Sequence, residues 1–296
     1  TLYPLALEAL TGDKISVGAP FFNLTFAPLM VPLLVMVPFG PLLAWKRGDI
    51  LAAGQRLMAA FAVALAAMLV TLLFINGASV LAALGAGLAF WLVAGALTDL
   101  AVRSGLGKVS PRVALARFAG LPRSAFGTAL AHLGLGLTVL GLVGTLCFGT
   151  EKILSIRPGE TVELSGHTLR FLGLTPAQGP NFTEDRGRFA LIGADGNVRG
   201  EISSAKRFYP VRQMTTTESG IRTMWLSQLY LSLGDEGADG SVVVRIWWKP
   251  LVTLIWLGGV VMMAGAALSL MDRRLRVGAP SRRRAQLGAA SPASPS

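Results

Sequence analysis

The sequence is poor in the residues that build covalent and metal frameworks. Among 296 residues there is one cysteine, Cys147, so the chain holds no internal disulfide and no multi-cysteine metal site. Two histidines, His132 and His167, exclude a His-rich metal centre built from this chain alone. Charge is scarce as well: 15% of residues are charged, against about 25% in an ordinary soluble domain. No basic-then-apolar leader precedes the first hydrophobic run, and the chain opens on Thr1, so it is expected to be a piece of a longer protein or to begin mid-gene.

What is present is apolar sequence: 52% of the residues are hydrophobic and the mean hydropathy is +0.58. A bilayer crossing needs about 20 apolar residues. Five runs meet that length: 24–45, 57–75, 78–97, 125–148 and 250–271. The first contains Pro28, Pro32, Pro38 and Pro41, so a kink or partial unwinding is expected there. Asn76-Gly77 reads as a tight turn joining the second and third spans. Pro250 suits the first position of the fifth. Residues 99–123 read as a basic connector broken by Pro111 and Pro122, with arginines available to lipid head groups. The tail 272–296, rich in Ala, Ser, Pro and Arg, is expected to be disordered.

Charge orients this map. With five spans, fourteen basic and three acidic residues fall on one side, among them Lys46, Arg56, Arg103, Arg117, Arg123 and Arg273. That side carries a net +11, the formal charge of the entire chain, and the other side sums to zero. The positive-inside rule places the basic loops in the cytoplasm, and the N-terminal segment 1–23 and residues 150–246 on the outer face. Membrane topology thus accounts for the basic balance, and no nucleic-acid partner is implied.

Residues 150–246 read as β. Thr161–Leu164 and Thr168–Leu172 flank a Ser165-Gly166 turn, and Arg188–Ile192 and Val198–Ile202 flank Asp195-Gly196-Asn197. Leu229–Leu233 and Val242–Ile246 flank a Gly/Asp-rich loop. About seven short strands predict a small barrel or sandwich inserted into the helical membrane domain. No nucleophile–base pair, telling carboxylate pair or phosphate loop stands out, which favours a docking or binding domain.

His132 lies inside the fourth span, where an ionisable group is a functional candidate by default. Ala125, Thr128, Gly136, Val139 and Val143 share its helical face and leave lateral room, as a flat cofactor such as haem needs. Gly127, Gly134 and Gly141 mark the opposite face as one that packs closely on another helix. A neutral histidine hydrogen-bonded between helices remains the alternative. His167 reads as an exposed turn residue, and Cys147 as a buried small hydrophobe. Trp247, Trp248 and Lys249 read as anchors at the outer membrane boundary, with a grip on a cofactor or partner as the other reading. Arg207-Phe208-Tyr209-Pro210 is a basic-aromatic cluster more typical of core and turn than of a contact surface.

Several segments resemble the CcmF/NrfE cytochrome c haem lyase family. They are Thr1–Pro4, Ile15–Asn23, His132–Leu135, Arg207–Pro210, the stretch from Thr217 to Gly234, and Trp248–Leu251 leading into Ile255–Gly258, in the family's order and spacing. The resemblance implies a bacterial inner-membrane protein of cytochrome c-type biogenesis with its β domain in the periplasm. It implies a part in covalent attachment of haem, received from a chaperone, to the Cys-x-x-Cys-His motif of an apocytochrome c. It implies a membrane b-type haem held by two histidines, with His132 matching the second as an axial ligand, and quinol as an electron source. Arg207, Trp247, Trp248 and Lys249 become candidate haem or partner contacts. The implied partners are the upstream half of the lyase, the haem chaperone, CcmH/CcmI-type apocytochrome-handling proteins and apocytochrome c, besides membrane lipids. The family's Trp-rich haem-presenting segment lies upstream of Thr1, so this chain alone is not expected to be catalytically complete. The competing reading is a non-enzymatic scaffold or transporter subunit whose β domain docks partners.

Overall fold

A computed structural model describes residues 2–12, 18–43 and 48–272. The tail from residue 273, Lys46, Arg47, the Trp45 end of the first predicted span and Ile15–Val17 lie outside the described residues. The chain divides into two compact units: residues 1–65, 90–136 and 261–296, and residues 66–89 and 137–260. Helices α4 (Met58–Phe74), α5 (Val80–Ser104), α7 (Arg123–Phe148) and α8 (Thr253–Leu270) each run through both.

The first unit is helical. The N-terminal segment, for which the sequence predicts no element, contains α1 (Leu2–Thr11). Helix α2 (Ala19–Met36) accommodates Pro28 and Pro32 and then tightens into a 3-10 helix over Val37–Leu42, the unwinding that the proline run predicts. Its partner is α5. A Cβ on Gly95 would lie 2.5 Å from Pro38, and the Trp91 indole N–H donates to the Val35 carbonyl at 3.0 Å. That bond ties Trp91 to the stretch where the α-helix gives way to the 3-10 helix.

The helices depart from the sequence expectations at three points. Helix α5 does not end near residue 97 but continues to Ser104, because Arg103 Nε donates to Asp99 Oδ1 at 2.7 Å and the i,i+4 pair carries both charges within the helix. Pro111 does not break the connector; it starts α6 (Pro111–Ala119), in a first-turn position that needs no N–H. The second span is preceded by α3 (Ile50–Arg56), capped by Asp49 and bent 59° from α4. Among the described residues, four helices are long and apolar enough to cross a membrane, or five if the bent pair counts as one.

The second unit holds the β domain, between the end of α7 and the start of α8. It has nine strands: β1 (Thr150–Ile156), β2 (Thr161–Leu164), β3 (His167–Gln178), β4 (Thr183–Ile192), β5 (Val198–Tyr209), β6 (Met214–Glu218), β7 (Gly220–Met224), β8 (Ser227–Glu236) and β9 (Val242–Lys249). They form two antiparallel sheets, β1-β9-β8-β7 and β2-β3-β4-β5-β6, which makes the domain a sandwich rather than a barrel. The inner faces share one core, with Phe171 stacked on Phe189 at 4.8 Å among Leu169, Leu229, Leu231, Val244 and Ile246. The strands exceed the predicted lengths. β3 runs through Pro176 to Gln178, past the end of its β2 partner, so the missing proline N–H faces an open flank. β9 continues three residues beyond the predicted boundary, to Lys249.

Pro250 is not the first residue of α8. Leu251 has φ +57, in a left-handed turn between β9 and α8, and the helix begins only at Thr253. The predicted turns are present: Ser165 and Gly166 both have positive φ, and Gly196 has φ +76. Asn76-Gly77 likewise turns the chain, with the Ala78 N–H bonded to the Ile75 carbonyl at 3.1 Å.

Candidate functional site

Helix α7 presents two different faces. On the glycine face, a Cβ on Gly127 would fall 2.6 Å from the Gly265 carbonyl oxygen of α8, and one on Gly265 would meet Gly127 O at the same distance. Within the second unit, Gly141 stands in the same relation to Ile255, and Gly144 to Leu251. The backbones of α7 and α8 touch there, as the glycine spacing predicts.

The other face carries His132, which is half-buried. Within the second unit this face meets α5, where Val143 fills the notch that Gly85 leaves. Gly136 is buried, and Thr128 and Val139 are half-buried. Asp99 of α5 is 2% exposed; Oδ1 is held by Arg103, and Oδ2 has no hydrogen-bond partner among the described residues. A half-buried imidazole on a face of small residues is a donor that could hold a haem iron.

The β domain places the remaining candidates at its two ends. At the end joined to the helices, Trp247 packs edge-on to Tyr230 at 5.7 Å, Arg245 lies over the Trp247 ring at 4.7 Å, and Lys249 Nζ lies 4.9 Å from the Tyr230 ring. Trp248 packs on His167, ring to ring, at 4.4 Å. His167 is therefore not a free turn residue. The turn that carries it is tied to the start of β1, where Thr150 and Ser165 share a 2.6 Å hydrogen bond, and burial lowers its pKa. Cys147 is half-buried rather than buried.

Arg207 sits at the far end of the sandwich, in the long extension of β5. Its Nε donates to Glu184 Oε2 at 2.7 Å, its Nη1 lies 3.2 Å from Glu218, and its guanidinium stacks over Phe182 at 4.3 Å. Glu184 is the residue that the sequence does not disclose. Its side chain is 1% exposed and is also bonded by Arg186 Nε at 2.9 Å; the bond from Arg207, with help from Arg186, holds its carboxyl below the usual range. Cross-strand register pairs Glu184 with Arg207, a relation that no local pattern shows. Among the described residues no three His, Cys, Asp or Glu stand together as a metal-binding group.

Residues 147–250 match the family model described as the CcmF C-terminal beta-sandwich. Over 97% of its length the chain is 60% identical to the cytochrome c-type biogenesis protein CycK of Rhizobium meliloti. Over 98% it is 37% identical to the cytochrome c-type biogenesis protein CcmF of Pseudomonas aeruginosa. A solved structure titled cytochrome c heme lyase CcmF superposes with a TM-score of 0.68 at 25% identity, covering 92% of this chain and 42% of that one. The chain spans 42% and 43% of the two curated relatives. With spanning helices on either side of that sandwich, this integral membrane chain belongs to the CcmF family, as the counterpart of its C-terminal half.

Proposed function

We propose that this chain is the C-terminal part of a cytochrome c haem lyase of a bacterial inner membrane, and that His132 is one axial ligand of a membrane b-type haem. The single observation behind the assignment is the position of His132: one half-buried imidazole inside α7, on the small-residue face and opposite the glycine face that closes on α8. The second ligand belongs to a helix outside this chain. When bound there, such a haem would supply one-electron chemistry, with quinol as the electron source.

The roles of this chain's own residues follow from where they stand. His132 would hold the iron through one imidazole nitrogen. The β domain, on the periplasmic side, presents Trp247, Trp248 and Lys249 at its helix-joined end and Arg207 at its far end as contacts for haem or protein. Its task is positioning, not acid–base chemistry: substrate haem delivered by a chaperone meets the thiols of an apocytochrome c Cys-x-x-Cys-His motif brought by CcmH/CcmI-type proteins.

The test is the absorption spectrum of the full-length protein. His132→Ala is expected to remove the b-type Soret band and most cytochrome c maturation. His132→Gly with added imidazole is expected to recover part of both, since free imidazole refills an axial site. An alanine variant that keeps its full haem complement returns the chain to a scaffold role.

A further inference from the structure

The turn between β7 and β8 is built against local preference. Met224 pairs with Ser227, so the whole turn is Trp225-Leu226. Two-residue hairpin turns favour Gly, Asn or Asp, since one or both central residues need a positive φ. Here Trp225 takes φ +56, a left-handed conformation that is strained for a bulky residue. Its side chain gains nothing inside the domain in return: Trp225 is 95% exposed, and Leu226 beside it is 40% exposed. The large apolar ring at this tip therefore needs an explanation from outside the domain.

The hydrogen bonds say where the tip stands. The Leu226 carbonyl accepts from Thr253 N at 3.1 Å, and Ser227 Oγ accepts from Leu251 N at 3.4 Å. Thr253 is the first residue of α8, one of the helices long and apolar enough to cross a membrane. The turn is thus pinned at the level where α8 enters the apolar phase, beside the Trp248-Lys249 end of β9. Indole rings concentrate at that level, where the ring is buried among head groups and the N–H stays hydrated.

We infer that Trp225-Leu226 is a lipid-interface anchor of the β domain, with a phospholipid bilayer surface as its partner. Trp225 lies at head-group depth and Leu226 reaches the acyl boundary. The anchor and the linked β9–α8 junction together fix the stance of the sandwich on the membrane. This rests on the spanning helices alone and is independent of haem ligation by His132.

The experiment uses the full-length protein, free of other cysteines, in phosphatidylcholine vesicles. A bimane probe is placed at Leu226→Cys, and for comparison at Val211→Cys, in the far-end turn between β5 and β6, where Val211 is 93% exposed. Lipids carrying a doxyl group near the head group are expected to quench the tip probe several-fold more than the far-end probe, and aqueous iodide several-fold less. In a Trp225→Gly background, which relieves the strained φ and so keeps the turn, lipid quenching at Leu226→Cys is expected to fall several-fold. Equal iodide quenching at the two sites would overturn the anchor by placing the tip in water. Protection of the tip from both quenchers would overturn it in favour of a protein contact, and so would lipid quenching left unchanged by Trp225→Gly.

Discussion

Glu184 is the only carboxylate in the sandwich whose side chain is almost wholly out of water while two guanidiniums bind it, among the described ion pairs. Its lowered pKa has a definite sign in stability. The unfolded chain binds a proton more readily, so the stabilisation is complete above the ordinary glutamate range and is lost as pH falls through the lower folded value. Glu184→Gln is expected to lower the stability of the β domain by about 2 kcal/mol at neutral pH, the order of a charge-assisted hydrogen bond, and to flatten its loss in acid. Urea unfolding followed by tryptophan fluorescence at pH 7 and pH 4 checks both. His132 was legible in the sequence because an ionisable group inside an apolar run has few structural excuses. Glu184 was not, because nothing in its neighbours separates it from the domain's other acids. Trp225 was equally silent, since the residues that announce a tight turn are missing from that turn.

At the scale of elements, glycine spacing decides how α7 packs. At Gly127 the atoms that a Cβ would meet are backbone, Gly265 O and Ser269 N at 2.6 and 2.7 Å, which no rotamer change can move. Gly127→Ala is therefore expected to destabilise the detergent-solubilised protein by about 1–3 kcal/mol, the usual cost of overpacking. Gly259→Ala on α8 is the comparison, because nothing lies within 4 Å of its added Cβ, and it is expected to be neutral or slightly stabilising. Thermal unfolding of the two variants separates helix propensity from packing. The strands were less legible than the helices. β6 and β7 join within the Met214–Met224 stretch of Thr and Glu, which shows little alternation, and what makes them strands is pairing with β5 and β8.

For the whole molecule, the charge map is the property with consequences in a cell. With +11 on one side of five spans and zero on the other, alkaline phosphatase fused near Gly196 is expected to be active and the same enzyme fused after Arg276 inactive. The reverse pattern would invert every orientation assigned to the β domain. The map depends on α3 and α4 acting as one crossing, because without it the parity of the later spans changes.

Sequence by itself determined the order of the apolar runs, the β character of the inserted domain, the glycine seam of α7 and the family. These properties are local or periodic: a segment in lipid must satisfy its own backbone, and a run of about 20 apolar residues announces that without reference to any partner. Only the tertiary structure decided that the domain is a sandwich, with β1 paired to β9 across nearly its whole length. It alone carried α5 on to Ser104 through the Asp99–Arg103 pair and delayed α8 to Thr253. It also buried Glu184 between two arginines, packed His167 on Trp248 and put Trp225 at the helix-joined end. Each of these depends on contacts between residues remote in the chain or on a backbone turn forced by them, and a hydrophobic period carries no information about such partners.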